Sequence, residues 1–410
     1  MFVAEGSGFQ QSPKQGIEGD CVPFLYKPIE ERDKLKIENI GNVSDLREVA
    51  RRRLPRPVFD FIDGAAFAEK TLRANTADFG NHKFRQRVMV DVSSRAITTT
   101  IVGQPSAMPV AISPTGLSGM LWGGGGEVLA ARAARRAGIP FTLGMMSVCS
   151  LEEVSAAAGP VWFQFCMLKD RGLVKLFVER AKAAQAPVLV LTVTWPMSSR
   201  NNRLVRAGVT ALPPRMSART LLDFSLRPGW VLRTLLGKPI AFNNFVGHMR
   251  GPADIGSIVA QLDNSATWKD VEWLRSLWPH KLIVKGIGDP EDARLAFDSG
   301  ADAISVSNHG GNQIDDAPSS ISLLPLIMDA VGGRGEVLLD GGVRSGQDVL
   351  KALALGARAC LLGRAHLYGL AAYGEAGVAK MLEIFAREMD VTMALTGLRD
   401  VRDASRAILW

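Results

Sequence analysis

Eight short apolar runs, each followed by a helical pattern, constrain this chain more than any single residue does. They cover residues 108–113, 140–144, 161–165, 187–193, 281–284, 303–307, 337–339 and 359–362. Unbroken apolar runs of this length suit parallel strands whose two faces are both covered by helices. Helical patterns alternate with them at 126–138, 151–158, 172–186, 268–278, 290–300, 322–331, 346–356 and 375–389. Several of these close with glycine, as helix C-caps do. Eight such repeats predict a (β/α)8 barrel, with a doubly wound open sheet as the alternative.

The chain has 410 residues and is 47% apolar, enough to bury a large core as one barrel. Two stretches fall outside the repeat. Residues 1–42 form a polar, uneven N-terminal extension; the barrel domain runs over 43–410, starting with mixed helical structure over 43–83. The tract 195–267 is too long for a simple barrel loop, and insertions of that size are usually lids, binding loops or disordered segments. There is no secretory pattern and no apolar run long enough to span a bilayer. The four cysteines (Cys21, Cys149, Cys166 and Cys360) are widely spaced and form no metal-ligand pairs. A reduced cytoplasmic protein without a zinc site is the expectation. The net charge of +7 permits nucleic-acid binding, but no aromatic-basic alternation accompanies it, so a nucleic-acid partner is not expected. The glycine run 123–126 precedes Glu127 and an alanine-rich helix, and reads as the turn that starts that helix.

A closed barrel gathers its chemistry at the C-terminal ends of its strands, with a phosphate site in the loops after the last two. The groups at those ends here are Lys285, the stretch Ser307-Asn308-His309-Gly310-Gly311-Asn312-Gln313, the stretch Asp340-Gly341-Gly342-Val343-Arg344, and Gly363-Arg364. His309 is one of only five histidines, and it follows a strand end beside two glycines that let a bound molecule approach the backbone. Taken alone, such a histidine is more often a turn cap than a catalyst; its neighbours reverse that reading.

Together these motifs resemble the FMN-dependent α-hydroxy-acid dehydrogenase and oxidase family, which includes glycolate oxidase, lactate dehydrogenase and mandelate dehydrogenase. The resemblance runs from about residue 43 to the end. It also includes Ala111-Ile112-Ser113-Pro114-Thr115, Phe163-Gln164, Leu191-Thr192-Val193 and Trp268-Lys269-Asp270. It implies FMN as cofactor and a small-molecule substrate. Gly341, Gly342 and Gly363 would offer backbone N–H groups to the phosphate, and Arg344 and Arg364 positive charge. Gln164 and Thr192 would bond the pyrimidine edge. Pro114, Thr115, Gly116 and Ser307 would pack along the ring and ribityl chain, with Asp340 bonding the chain. Lys285 would stabilise charge that develops on the reduced flavin. His309 would take a proton as the substrate carbon is oxidised.

On the substrate side the chain departs from the family's pattern. Members acting on small hydroxy acids usually hold the carboxylate with two arginines and a tyrosine. A second tyrosine stands near the substrate oxygen, and an aspartate supports the histidine. Asn312 and Asn201 stand at the arginine positions, Phe61 and Cys166 at the tyrosines, Thr194 at the aspartate, and Met145 at a flavin-ring serine. Charge-assisted bonds contribute on the order of 1.5–3 kcal/mol each, so lactate and glycolate are expected to be poor substrates. Arg200 and Arg203 lie close enough in sequence to offer replacement cations.

Three functions therefore stay open at this point. One is dehydrogenation of a larger or less acidic hydroxy-acid-like substrate. Another is oxidation of an amine or modified peptide, since the Gly-Gly-Asn after His309 resembles pre-mycofactocin synthase. The last is a non-catalytic flavin protein. The electron acceptor would be a quinone, oxygen or another redox protein, and a homo-oligomer is expected. The basic and apolar segment 215–238, with Arg215, Arg219, Arg227, Arg233 and Lys238 among leucines and Trp230, suits the inner face of an anionic membrane; a lid over the site is the alternative. Pro228-Gly229 predicts an interruption there.

Overall fold

Why the sheet is parallel follows from what its strands bury. In the computed structural model the strands are Val110–Ile112 (β1), Thr142–Gly144 (β2), Trp162–Phe165 (β3), Val188–Thr192 (β4), Lys281–Ile287 (β5), Ala303–Ser307 (β6), Glu336–Asp340 (β7) and Ala359–Leu362 (β8). All eight match the apolar runs, and six are buried at every residue. With both faces hidden, alternation gives way to continuous hydrophobicity. Each strand from β2 to β8 pairs in parallel with the next, and β8 pairs with β1. A bridge from Ile112 to Phe141 joins β1 to the start of β2 and closes the ring, so the fold is the (β/α)8 barrel. The structure describes residues 35–197, 199–207, 218–249 and 251–410, with the side chains of 218 and 219 excepted. Cys21 and most of the expected 1–42 extension lie outside these residues.

The barrel interior is filled by Ala111, Trp162, Val188, Val190, Ile283, Ala303, Leu338, Ala359 and Leu361. Ile101 and Val102 join this cluster from a hairpin, Thr99–Ile101 with Gln104–Ser106, that plugs the lower mouth. The Val102 N–H donates to Glu336 at the foot of β7. Large aliphatic side chains buried in this way contribute roughly 1.5–3 kcal/mol each.

Local chemistry sets the helix starts. Ser150 and Glu153 form a reciprocal capping box on Leu151–Ala158, and Asp289 caps Pro290–Asp298, with proline in the first turn. Outside the insertion, one described α-helix after β1 has no counterpart among the predicted patterns. Arg364–Tyr373 follows β8 directly and packs under the long C-terminal helix Glu375–Thr396. The two approach through glycine: a Cβ on Gly377 would lie 2.0 Å from the Gly369 carbonyl oxygen.

The insertion after β4 carries short helices, Asn202–Arg206, Ala218–Ser225, Pro228–Leu236 and Ile255–Ala260, and Pro228 breaks the basic segment as expected. Helix Pro228–Leu236 is seated on the glycine run: a Cβ on Gly237 would sit 2.1 Å from the Gly123 carbonyl oxygen, and one on Gly124 2.2 Å from that of Lys238. The run therefore starts the helix Gly126–Arg136 and also seats the insertion. Trp230, which the membrane reading would expose and the lid reading would pack, is buried; its indole N–H donates to the Met120 carbonyl, and Phe224 meets its ring edge-on.

Candidate active site

The strand ends of β3 to β7 place Gln164, Thr192, Lys285, Ser307 and Asp340 at the upper mouth of the barrel. Lys285 and Asp340 form a buried ion pair at 2.5 Å. Ser307 donates to the same carboxylate oxygen at 2.8 Å, and Ser113 donates to the other at 3.2 Å. Burial alone would raise the Asp340 carboxyl; the Lys285 charge and the hydrogen bonds from Lys285 and Ser307 outweigh it and hold the group below its usual range. Gln164 donates to Thr192 at 3.0 Å.

These residues open into a cavity of about 370 Å³, a size typical of small-molecule sites. Its wall includes all but two of the expected site residues: Phe61, Pro114, Thr115, Gly116, Gln164, Cys166, Thr192, Asn201, Lys285, His309, Asn312, Asp340, Gly341, Gly342, Arg344, Gly363 and Arg364. Ser307 and Thr194 stand behind that wall. Ser307 was expected along a bound ring; its hydroxyl is directed instead to Asp340, and it accepts from the His309 N–H at 3.1 Å.

His309 has a left-handed backbone, φ 58°, imposed by the turn into Gly310 and Gly311. Its Nδ1 lies 3.0 Å from Thr194 Oγ1. Thr194 reaches this position because β5 bulges at Gly286, where a Cβ would meet Thr194 Cγ2 at 2.4 Å. His309 keeps part of its surface open to the cavity, yet burial, the Lys285 charge and the Arg364 charge, opposed by Asp340, push its pKa down to about 4. It is a neutral imidazole at pH 7. When Nδ1–H donates to Thr194, Nε2 carries the lone pair that can accept a proton.

The remaining wall is mostly apolar and uncharged: Phe61, Met145, Met146, Cys166, Trp195, Leu204 and Ile255. Burial pushes the Cys166 thiol up to about 12, so the sulfur stays protonated. Asn201 caps helix Asn202–Arg206, its side-chain oxygen accepting from the N–H groups of Arg203 and Leu204. Asn312 donates to the His309 carbonyl and accepts from Arg364. Neither of the suggested replacement cations fills the gap. Arg203 is bound to Asp63 and Glu69, each at 2.6 Å, and Arg200 is exposed, off the cavity wall.

Sequence reading missed Asn75 and gave Asn308 no role; the two exchange side-chain bonds at 2.8 Å and fix the loop under His309. The Asn75 carbonyl oxygen also packs against Gly342, where a Cβ would lie 1.8 Å away; only a glycine allows this turn (φ 81°). At Gly363 the space a side chain would take is open, and helix Arg364–Tyr373 begins at the next residue. Free N–H groups of a helix start, the glycine turn after β7 and a nearby arginine are the donor set a phosphate monoester needs.

Among known proteins, the profile of the FMN-dependent dehydrogenase family matches residues 50–410. The chain belongs to this family. L-lactate dehydrogenase of Caulobacter vibrioides is 47% identical over 376 residues, covering 90% of this chain and 97% of the relative. The solved structure of the monotopic membrane protein (S)-mandelate dehydrogenase superposes with a TM-score of 0.87 at 38% identity, over 91% of this chain and 99% of that one. An arginine-to-leucine variant of mandelate oxidase, solved with 2-hydroxy-phenylacetamide, gives 0.75 at 36% identity, over 90% and 97%. The family member described here is an FMN-dependent dehydrogenase of CH–OH groups, and the strand-end donors and glycine cradle fit its cofactor.

Proposed function

We propose that His309 is the base of this dehydrogenase, and that its substrate is a carbinol compound other than lactate or glycolate. The observation carrying the first half is the pairing of a neutral imidazole, oriented through Nδ1 by Thr194, with the buried Lys285–Asp340 pair on the same cavity. His309 Nε2 takes the hydroxyl proton of the substrate. Bound FMN supplies the acceptor for the two electrons. Its phosphate would be held by the amides of Gly341, Gly342 and Gly363 and by the Arg344 charge. Its ring edge would meet Gln164, Thr192 and Lys285, with Pro114, Thr115 and Gly116 along the rest. Asp340 would bond its ribityl chain, with Ser307 behind. Arg364, caged by the carbonyls of Ile62, Gly64 and Gly310, would contribute charge to the phosphate loop without leaving that cage. Support for the second half comes from Asn201 and Asn312, whose polar atoms are committed within the protein. The test is anaerobic flavin reduction by L-lactate, by glycolate and by larger 2-hydroxy compounds. Both small acids are expected to reduce the flavin slowly, and His309→Ala to slow any productive substrate by roughly 10²–10⁴-fold while FMN stays bound. Rapid reduction by lactate would remove the substrate half.

The insertion supports a membrane-facing role for the same enzyme. Leu221, Leu222, Leu226, Leu232, Leu235 and Leu236 are each more than half exposed on its two central helices and the link between them. No described helix is long and apolar enough to cross a membrane, so contact would be peripheral. The described basic residues face the protein: Arg227 bonds the Leu54 carbonyl, Arg233 stacks on Trp122, and Lys238 pairs with Glu153. Leucine burial would then drive binding more than lipid charge, and a quinone dissolved in the bilayer becomes the natural acceptor. Co-sedimentation with vesicles should persist at high salt and disappear in Leu232→Ser/Leu235→Ser/Leu236→Ser. Wild type left in the supernatant would dismiss the membrane role.

A further inference from the structure

The cations next to His309 are already engaged in bonds within the protein before any substrate enters. Lys285 is neutralised by Asp340 at 2.5 Å. Four of the five N–H groups of Arg364 are spent, on Ile62 O at 3.0 Å, Gly310 O at 2.8 Å, Gly64 O at 2.5 Å and Asn312 Oδ1 at 3.3 Å. Arg344 sits at the glycine turn after β7, beside Tyr368, and donates to the Val343 carbonyl. Next to His309, among the described residues, the wall therefore offers sulfur, aromatic and aliphatic groups and amides, with no uncommitted cation. A carboxylate brought here would lose its water and find no cation with N–H groups free to bond it directly, which makes its burial costly. A carboxamide or ester loses far less, having no charge to strip of water.

From these committed cations and the apolar wall we infer that the substrate carries an uncharged carbonyl beside its carbinol carbon: a 2-hydroxy amide, or a peptide or lactam of that type, with an apolar substituent against Phe61 and Trp195. This inference rests on the dehydrogenase reading above and narrows its substrate. The reaction balances without another reagent. The C–H and O–H bonds of the carbinol break and a C=O bond forms. The hydroxyl proton goes to His309, and the C–H hydrogen leaves with both electrons to the cofactor. The 2-oxo amide is the product. The arginine-to-leucine mandelate oxidase solved with 2-hydroxy-phenylacetamide pairs the loss of an arginine with such a ligand in a protein of the same fold.

The experiment uses FMN-loaded enzyme and two matched probes, mandelate and 2-hydroxy-phenylacetamide, each as both enantiomers. Dissociation constants are read from perturbation of the flavin spectrum, and reduction is followed anaerobically. The amide should bind at least 100-fold tighter than the acid. Equal or tighter binding of the acid overturns the inference, as does failure of both probes to perturb the flavin. In Asn201→Arg/Asn312→Arg the preference should reverse, because the two added cations restore a grip on carboxylate; an unchanged amide preference overturns the charge argument. Failures at the two levels separate cleanly. Rapid reduction by mandelate that His309→Ala abolishes would leave the dehydrogenase reading intact and sink the neutral substrate. Selective amide binding with no flavin reduction would keep the neutral pocket and sink the assignment of His309 as its base.

Discussion

The two ends of the cavity are built by opposite means. At the strand ends of β5 to β7, Lys285, Ser307 and Asp340 form a charged, fully bonded cluster, and the glycines beyond them fit only one backbone shape. Around His309, the corresponding positions hold Phe61, Cys166, Thr194, Asn201 and Asn312, all neutral. The first end keeps every group that a negatively charged cofactor requires. The second has exchanged ions for packing and short local bonds. Cofactor and substrate therefore place separable demands on one barrel, and the second can change while the first stays fixed.

The largest test of this contrast is Lys285→Met, which leaves Asp340 buried without its partner. Removing one member of a buried pair costs roughly 3–5 kcal/mol, so urea unfolding should show a loss of that size, and Lys285→Met/Asp340→Asn should recover much of it. A loss below about 1 kcal/mol would mean that this end is no more committed than the other. Next in size is Thr194→Asp. An opposite charge at Nδ1 favours imidazolium and should raise the His309 pKa by about 1–3 units. In wild type the base is neutral above about pH 4, so kcat/KM should fall only as pH drops through about 4. In the variant that fall should begin at higher pH. The stability sign agrees: His309 titrates lower in the folded protein than its ordinary 6.5, so acid favours the unfolded chain and stability declines as pH falls from about 6.5 toward 4. An unmoved pH profile would show that Thr194 does not govern the base. The smallest effect is expected from Arg344→Ala, which removes a charge from the phosphate end. One or two charge-assisted bonds, each worth about 1.5–3 kcal/mol, set the scale; FMN should bind the apoprotein at least about 10-fold more weakly, with riboflavin affinity unaffected. Equal losses for both ligands would place Arg344 in the fold rather than at the phosphate.

Much of the barrel could be read from sequence because its strands are buried on both faces, and β6 was matched end to end by its apolar run. The hairpin at 99–106 escaped notice because Thr-Thr-Ile and Gln-Pro-Ser carry no apolar run; their burial comes from sitting under the barrel. Helix Arg364–Tyr373 was hidden because it starts at the residue after a site glycine, with no linker to announce it. At the site, strand-end motifs located His309 and Lys285, yet nothing local connects Asn75 to Asn308 across 233 residues. Trp230 was ambiguous for a related reason: composition fits an exposed anchor as well as a packed lid, and only the fold shows its N–H on the Met120 carbonyl.

The contact between Gly123–Gly124 and Gly237–Lys238 bears on how this enzyme can diversify. The insertion is joined to the barrel there by main chain against main chain and by inward side chains such as Trp230 and Lys238, so its bearing on the body depends hardly at all on the side chains it displays outward. The outward face can therefore drift in sequence, gaining or losing leucines, without being re-aimed. Any side chain at those glycines would shift the whole segment at once, whatever that face had become.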